Sequence, residues 1–261
     1  LQCRPDQIAE RVVLCGDPAR VDRIAGQLDE CDVLGQHREF RLINGHYRGL
    51  PVTVCSTGIG GASAVIALEE LVQAGARSLI RVGSAGALQH EIALGDLIVV
   101  EGAVRSEGAS QAYLPPEYPA CADIRLQAAL LAHLGASGQP HWHGLVRSHD
   151  SFYRDDEQDV CRYWHARGVL GADMESGFDW ENHVNYHDEK IPPQPVEALD
   201  GDDPYARRRV LTAVMKKKQT LSAAARAALA LRSASAAVVA ADVLRASASA
   251  SRSEEHTSEL Q

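Results

Sequence analysis

The first two-thirds of the chain repeat one pattern: a short run of β-branched and other apolar residues, a turn that contains glycine, and a segment with helical periodicity. Runs of this kind lie at Arg11–Cys15, Pro51–Cys55 and Ser78–Val82. Strands that alternate with helices form a largely parallel sheet with helices on both faces, because each crossover helix packs on the sheet. The repeat therefore predicts an α/β fold, and such folds bind ligands at the carboxyl ends of their strands, where these glycine turns fall.

The overall charge limits the kinds of partner that this chain can bind. Its net charge is −9, from 26 basic and 35 acidic residues. A nucleic-acid or anionic-membrane surface calls for a basic face, so this balance argues against both. No apolar run approaches the length of a membrane span. An anionic substrate would therefore have to be held by a few well-placed arginines.

The six cysteines indicate a reducing compartment. They show no CxxC spacing, and Cys15 and Cys55 lie inside apolar strand-like runs. A reduced thiol in such a place behaves as a small apolar side chain. The expected location is the cytoplasm.

The arginine within the third apolar run is a candidate for anion binding. Arg81 lies inside Ser78–Val82, directly before the turn that begins at Gly83. A buried charge without a partner is very costly, so its guanidinium should meet either a bound anion or a carboxylate of the protein. Arg81 alone favours the internal ion pair.

A second arginine follows the first apolar run, in the segment Gly16–Arg20 (GDPAR). Asp17 suits a helix N-cap and Pro18 suits the first helical position. Free N–H groups at a helix start attract anions, and Gly16 allows the backbone to approach a ligand closely. An ordinary capped helix with a solvated arginine is the alternative. Two arginines beside two glycine turns favour a phosphate pocket, because guanidinium groups bind phosphate in a bidentate manner.

Two further segments contain groups that could bind a sugar and a base. Asp173, Met174 and Glu175 follow the apolar residues Val169 and Leu170, and a carboxylate there could accept hydrogen bonds from a vicinal diol. The alternative is a helix start with acidic residues in its first turn. Phe152 lies in a polar stretch, where its ring could stack on a base or pack in the core.

The α/β pattern stops near residue 177, so we divide the chain into three parts. Residues 1–176 form the expected functional domain. Residues 177–251 begin with charges and prolines and continue with alanine, serine and arginine, which indicates a divergent or out-of-frame segment. A real tail with a terminal helix near Leu221–Arg245 is the alternative. Residues 252–261 (RSEEHTSELQ) match the translation of a sequencing adapter and are left out of fold reasoning.

Eight segments together resemble the signature motifs of nucleoside phosphorylases of the uridine phosphorylase type. They occur in the family's order and spacing across roughly residues 4–176. They are GDPAR at 16–20, HREF at 37–40, CSTGIGGAS at 55–63, RVGSAGALQ at 81–89, GDLIVVEGAVRSEGAS at 95–110, YLPPEYPACAD at 113–123, SHDSFY at 148–153 and DMES at 173–176.

The resemblance implies a three-layer α/β/α phosphorylase/hydrolase-like fold with a central mixed, mostly parallel sheet, assembled as a homodimer or as a hexamer of three dimers. It implies phosphorolysis of a nucleoside, uridine or a related one, to the free base and ribose 1-phosphate, with inorganic phosphate as co-substrate and no organic cofactor. In the family's pattern, the short upstream segment has a histidine that contacts the neighbouring subunit's ribose, and nothing at the start of this sequence corresponds to it.

The resemblance also implies a role for each matching residue. Met174 and Glu175 would hold the ribose, and Phe152 would pack on the base. Arg38 would reach the phosphate of the neighbouring subunit. A monovalent cation such as K⁺ would be held at the dimer interface by positions that match Glu39, Ile59 and Ser63. The implied phosphate-binding residues are Gly16, Arg20, Arg38, Arg81 and Ser84.

One departure from the family pattern leaves the base specificity open. Uridine phosphorylases read uracil with a glutamine and an arginine shortly after the Phe–Tyr pair, and Asp156 and Gln158 occupy those places here. Two alternatives to a phosphorylase also remain. One is a nucleosidase that uses water, and the other is an inactive nucleoside-binding homologue with an altered C-terminal segment.

Overall fold

The computed structural model describes residues 1–178 and the backbone of residues 209–215. The helices in these residues are α1 (Pro18–Ala25), α2 (Gly61–Gln73), α3 (Ile124–Ser137) and α4 (Glu157–His165). The strands are β1 (Arg11–Cys15), β2 (Asp29–His37), β3 (Phe40–Tyr47), β4 (Leu50–Ser56), β5 (Ser78–Ser84), β6 (Gly86–Ala87), β7 (Leu97–Ser106), β8 (Ala120–Cys121), β9 (His141–His149), β10 (Gly171–Asp173) and β11 (Arg209–Met215). Short 3₁₀ turns lie at Pro5–Gln7 and Ser110–Ala112.

All these strands belong to one mixed sheet with the order β2-β3-β4-β1-β5-β11-β7-β9-β10-β6, and β8 pairs with β7. Strands β4, β1, β5 and β11 run parallel to one another. Strands β7, β9 and β10 form a second parallel group, and β11 and β7 join the two groups in antiparallel fashion. The predicted three-layer α/β fold with a mixed sheet is confirmed.

The two faces of the sheet are covered by different helices. Successive side chains of a strand point to opposite faces, so neighbouring residues pack against different helices. In β1, Val13 and Cys15 pack in one core with α1 and α3. Val12 and Leu14 point the other way and pack in a second core with α2. Val12–Cys15 are all buried, as expected for a strand that is covered on both faces of the sheet.

The sheet curves back on itself because β6 follows β5 almost directly in the chain. Only Ala85 separates the two strands, yet β6 pairs with β10 at the far end of the strand order. The path from β5 through β11, β7, β9 and β10 therefore closes on β6. This closure brings the carboxyl ends of β5, β9 and β10 to one side of the molecule, although β5 and β9 belong to different parallel groups.

Two features of the fold depart from the expected pattern of alternating strands and helices. A hairpin of β2 and β3, followed by β4, precedes α2, and its strands were not predicted. Strand β11 lies in the segment 177–251 that we describe above as divergent, and it pairs with both β5 and β7. No helix in the described part of the chain is long and apolar enough to cross a membrane.

Candidate active site

A cavity of about 800 Å³ opens at the carboxyl ends of the strands. Segments that follow β1, β4, β5, β9 and β10 all contribute to its wall. It is lined by Gly16, Asp17, Pro18, Arg20, Glu39, Gly58, Ile59, Arg81, Ser84, Ala85, Gly86, His149, Phe152, Ala172, Asp173, Met174 and Glu175. The structure thus brings together nearly all the site residues expected from the sequence, and Arg38 and Ser63 are the two that do not line it.

The turn after β1 forms one end of the cavity. Asp17 caps α1 by accepting a hydrogen bond from the backbone N–H of Ala19 at 2.9 Å, and Pro18 occupies the first helical turn, as predicted. The carbonyl of Gly16 accepts a hydrogen bond at 2.9 Å from the N–H of Gly58, so the turns after β1 and β4 are held together. Arg20, half-buried in the first turn of α1, donates to the carbonyl of Val82 at 3.4 Å.

Arg81 is the most constrained charged group of the cavity. Its side chain is 6 % exposed, and Nη2 lies 2.5 Å from Oε2 of Glu175. Nη1 lies 3.5 Å from Oδ2 of Asp173, an ion pair that lacks hydrogen-bond geometry. Nε and Nη1 are buried and have no hydrogen-bond partner among the described residues. The guanidinium therefore has carboxylate partners and also retains donors that an anion in the cavity could use.

A glycine makes room for this guanidinium. Gly83 lies two residues after Arg81 on β5, so both positions face the same side of the sheet. A Cβ at residue 83 would lie 2.3 Å from Nη1 of Arg81, which is closer than the two atoms can approach. Gly83 is therefore needed for the position of the Arg81 side chain.

The carboxylates beside Arg81 differ in their surroundings. Burial raises the pKa of the Asp173 carboxyl, and the positive charge of Arg81 opposes this effect. Asp173 also accepts hydrogen bonds from the hydroxyl of Ser176 at 2.6 Å and from its N–H at 3.2 Å. Glu175 accepts one from the N–H of Gly60 at 2.7 Å. Both acids are thus held by the backbone and by Arg81. The alternative of a helix start at Asp173–Ser176 is not borne out, because Asp173 ends β10 and a bend and a turn follow it.

The hairpin turn between β2 and β3 directs neighbouring residues to different places. Arg38 has a positive φ of 54° and is exposed, while Glu39 lines the cavity. Oε1 of Glu39 accepts a hydrogen bond at 2.7 Å from the hydroxyl of Ser63. This bond and one to its own backbone lower the pKa of Glu39. Arg38 lies outside the cavity of its own chain, and its role in a neighbouring subunit stays a prediction.

The segment that carries Phe152 is fixed at both of its ends. Arg147, on β9, is 1 % exposed and its Nη1 lies 3.1 Å from Oε1 of Glu157, the first residue of α4. Phe152 lies between them, is 67 % exposed and lines the cavity. An exposed aromatic ring at a cavity wall can cover the face of a planar ligand.

Comparison with known proteins agrees with this geometry. The sequence model of the phosphorylase superfamily matches residues 10–178. This range is more than half of the chain and includes every cavity-lining residue. The chain belongs to the phosphorylase superfamily.

The relatives in this superfamily are named for different substrates. The chain is 46 % identical to a uridine phosphorylase from Thermococcus kodakarensis over 153 residues, which are 59 % of this chain and 55 % of that protein. It is 37 % identical to a guanosine phosphorylase from Halorubrum lacusprofundi over 169 residues, 65 % of this chain and 70 % of that protein. A crystal structure of uridine phosphorylase from Vibrio fischeri superposes with a TM-score of 0.72 at 37 % identity, covering 92 % of this chain and 94 % of the other.

Two residues that matter for the site of this superfamily member are not evident from the sequence. Gly83 does not line the cavity but makes room for Arg81, and the sequence indicates only a turn there, because the closeness of the two residues depends on the rotamer of that arginine. His149 was read only as part of a polar stretch beside Phe152. Its position at the end of a predicted strand is the available signal, since a polar residue there lies at the ligand-binding edge of an α/β sheet.

Proposed function

We propose that this chain catalyses phosphorolysis of a nucleoside, uridine or a related one, to the free base and ribose 1-phosphate. The observation that carries the proposal is the guanidinium of Arg81, which is buried at the cavity wall with Nε and Nη1 lacking hydrogen-bond partners. Gly16 and Arg20 lie at the same cavity, at the amino end of α1, where the helix dipole also favours an anion. Together with Ser84 they form a site of the right chemistry for inorganic phosphate.

The adjoining residues suit the sugar and the base of a nucleoside. Glu175 offers a carboxylate to a vicinal diol, and Met174 lies beside it on the cavity wall. Phe152 offers a ring against which a base could pack. Glu175 accepts hydrogen bonds from Gly60 and Arg81. Ribose hydroxyls would share or replace these donors.

The proposed reaction needs no covalent enzyme intermediate. Phosphate attacks the anomeric carbon from the face opposite the base while the C–N bond breaks, so the sugar acquires oxocarbenium character, as in glycoside hydrolysis. The arginines position the phosphate dianion, and its negative charge stabilises the developing positive charge of the sugar. The electrons of the broken bond leave with the base, which takes up a proton.

The active enzyme in this proposal is a homodimer, alone or as three dimers in a hexamer. Arg38 is exposed outside its own cavity, and a dimer would allow it to reach the phosphate of the neighbouring subunit. The side chains of Ile59 and Ile66 are 80 % and 50 % exposed and offer apolar surface for such an interface. A monovalent cation such as K⁺ would suit the oxygens of Glu39 and Ser63, because the lowered pKa of Glu39 keeps its carboxylate charged.

We also place this enzyme in the cytoplasm. All six cysteines are free thiols. Burial raises the pKa of Cys15 to about 12, which keeps that thiol protonated and unreactive. Free thiols fit a reducing compartment.

Release of base from uridine, measured against phosphate concentration, tests the proposed reaction. A phosphorylase gives no release without phosphate and a rate that saturates as phosphate is added. Release that does not depend on phosphate would instead establish a nucleosidase. Binding of uridine without any release would establish an inactive nucleoside-binding protein.

A further inference from the structure

His149 is a cavity residue to which the proposed reaction gives no role. It is the last residue of β9 and is 7 % exposed, and it lines the same cavity as Phe152. Of residues 141–165, which include β9, the following loop and α4, His149 and Phe152 are the two that reach the cavity wall. The ring of Phe152 can cover the face of a base, whereas the imidazole can form a directional hydrogen bond.

The hydrogen bonding of the ring determines what this imidazole offers. Nδ1 lies 2.9 Å from the backbone carbonyl oxygen of Ser151. A carbonyl can only accept, so Nδ1 carries the proton, and Nε2 of the neutral ring is left with a lone pair. Within residues 1–178 no donor is bonded to Nε2. The ring of this cavity-lining residue therefore has an unused hydrogen-bond acceptor, and its orientation is held by the backbone two residues further on.

Asp156 and Gln158, which occupy the places of the uracil-reading pair of uridine phosphorylases, do not line this cavity. The carboxylate of Asp156 accepts from Nε and Nη2 of Arg154 at 2.8 and 2.7 Å, beside the start of α4. Gln158 is exposed on α4. Of the two residues in this segment that line the cavity, His149 is the one whose side chain carries a hydrogen-bonding atom.

We infer that His149 determines base specificity: Nε2 accepts a hydrogen bond from a ring N–H that stands next to a carbonyl group of the base. A pyrimidine offers this group as its imide N3–H, and a 6-oxopurine offers it as its amide N1–H. The inference rests on the proposed function in so far as the cavity must take a nucleobase. It adds the polar contact by which the base is read.

Methylation of that ring nitrogen removes the N–H donor, so the inference is tested by comparing each base with its N-methylated form. Binding of uracil and 3-methyluracil, and of hypoxanthine and 1-methylhypoxanthine, is measured by calorimetry with inorganic phosphate present. The full-length protein is compared with its His149→Ala and His149→Gln variants. Glutamine places an amide oxygen near the position of Nε2, so it supplies an acceptor that alanine lacks.

His141→Ala is the matched control. His141 lies at the opposite end of β9, and its Nδ1 is also bonded to a carbonyl two residues away, that of Gln139 at 2.7 Å. It does not line the cavity. Thermal unfolding of each variant shows whether the loss of an imidazole–carbonyl bond affects the fold.

The wild type and His141→Ala should prefer the unmethylated base of one pair, and that pair identifies the base as pyrimidine or purine. His149→Ala should reduce this preference roughly tenfold, the usual effect of one hydrogen bond, and His149→Gln should retain more of it. An unchanged preference in a folded His149→Ala protein would overturn the inference, as would equal binding of both members, or of neither, by the wild type. Base binding that depends on His149 without ribose 1-phosphate formation would refute only the proposed reaction.

Discussion

Arg81 is a charged residue in an apolar strand, and the structure gives it carboxylate partners without using all of its donor atoms. Asp173 and Glu175 provide carboxylates, while two buried donor atoms remain without a hydrogen bond at the cavity. The sequence predicted that a carboxylate or an anion must meet this guanidinium. It could not predict that two carboxylates would meet the guanidinium and still leave two of its donor atoms without a hydrogen bond, because Asp173 and Glu175 are distant in the chain.

Gly83→Ala tests the importance of the Arg81 position. The new Cβ would lie 2.3 Å from Nη1, and the end of a flexible side chain can move away without disturbing the core. We therefore expect a folded protein in which the guanidinium is displaced. A misplacement of about 1 Å can lower the rate on the order of 100-fold, so kcat/KM for phosphate should fall by about that factor.

Gly135→Ala is the control for this substitution. Gly135 lies in α3, and a Cβ there would meet nothing within 4 Å. Its kcat/KM should match that of the wild type. Equal activity of Gly83→Ala and Gly135→Ala would show that the position of Arg81 does not matter for turnover.

At the scale of elements, the turn after β4 depends on glycine. Gly58 has φ of 70°, and a Cβ there would lie 2.7 Å from Cγ of Glu39 and 2.9 Å from the hydroxyl of Ser63. Gly49, in the β3–β4 turn, has a similar φ of 76° and no neighbour within 4 Å of such a Cβ. The two glycines therefore share the conformational requirement and differ in their contacts.

Gly58→Ala and Gly49→Ala separate these two effects. Both should lose about 1–2 kcal/mol in the free energy of unfolding, because alanine disfavours the left-handed region. Gly58→Ala should lose more, since Glu39 and Ser63 must also move, and its kcat/KM should fall while that of Gly49→Ala stays near the wild-type value. Urea unfolding and steady-state kinetics measure both. Identical behaviour of the two variants would contradict this account of the turn.

The elements differ in how far the sequence predicts them. Strands β1, β4 and β5 and helices α1 and α2 follow from apolar periodicity, glycine turns and the Asp17–Pro18 start. Strand β2 could not be predicted in the same way, because its first five residues are all exposed and its conformation depends on pairing with β3. The position of Arg20 and Arg81 at the cavity follows from the sequence, because both lie near the carboxyl ends of predicted strands. The sequence does not predict that Nε2 of His149 is an acceptor, because this depends on the hydrogen bond between Nδ1 and the carbonyl of Ser151.

The whole molecule depends on contacts that local patterns do not encode. The closure of the sheet through β6 and β10 brings Glu175 to Arg81, and strand β11 lies between β5 and β7. Strand β11 belongs to residues 177–251, so the boundary that we propose at residue 176 divides the chain in sequence but not in the sheet. The adapter-like residues 252–261 lie outside the described part of the chain.

Two shortened proteins test the proposed division of the chain. A chain that ends at Ser251 should keep the melting temperature and activity of the full chain. One that ends at Phe178 lacks β11 and would expose the backbone edges of β5 and β7, so it should be unstable or aggregate. A shared melting temperature for all three proteins would mean that β11 contributes nothing to the fold.

Subunit mixing tests whether each site uses two chains. Arg38→Ala and Arg81→Lys should each be nearly inactive, and lysine keeps a positive charge beside Asp173 and Glu175. A mixed dimer would contain one site with both wild-type arginines if Arg38 acts in the neighbouring subunit. Random dimers should then recover about a quarter of the wild-type activity. Exchange of subunits without recovery would show that Arg38 does not act across the interface.

The most direct test of the central claim is the fate of phosphate during turnover, followed by ³¹P nuclear magnetic resonance on the full chain with uridine. The account predicts that the inorganic phosphate signal declines as a ribose 1-phosphate signal grows, in equal amounts with the free uracil. Uracil released while the phosphate signal stays constant would contradict it. So would an unchanged spectrum from protein that is saturated with both ligands.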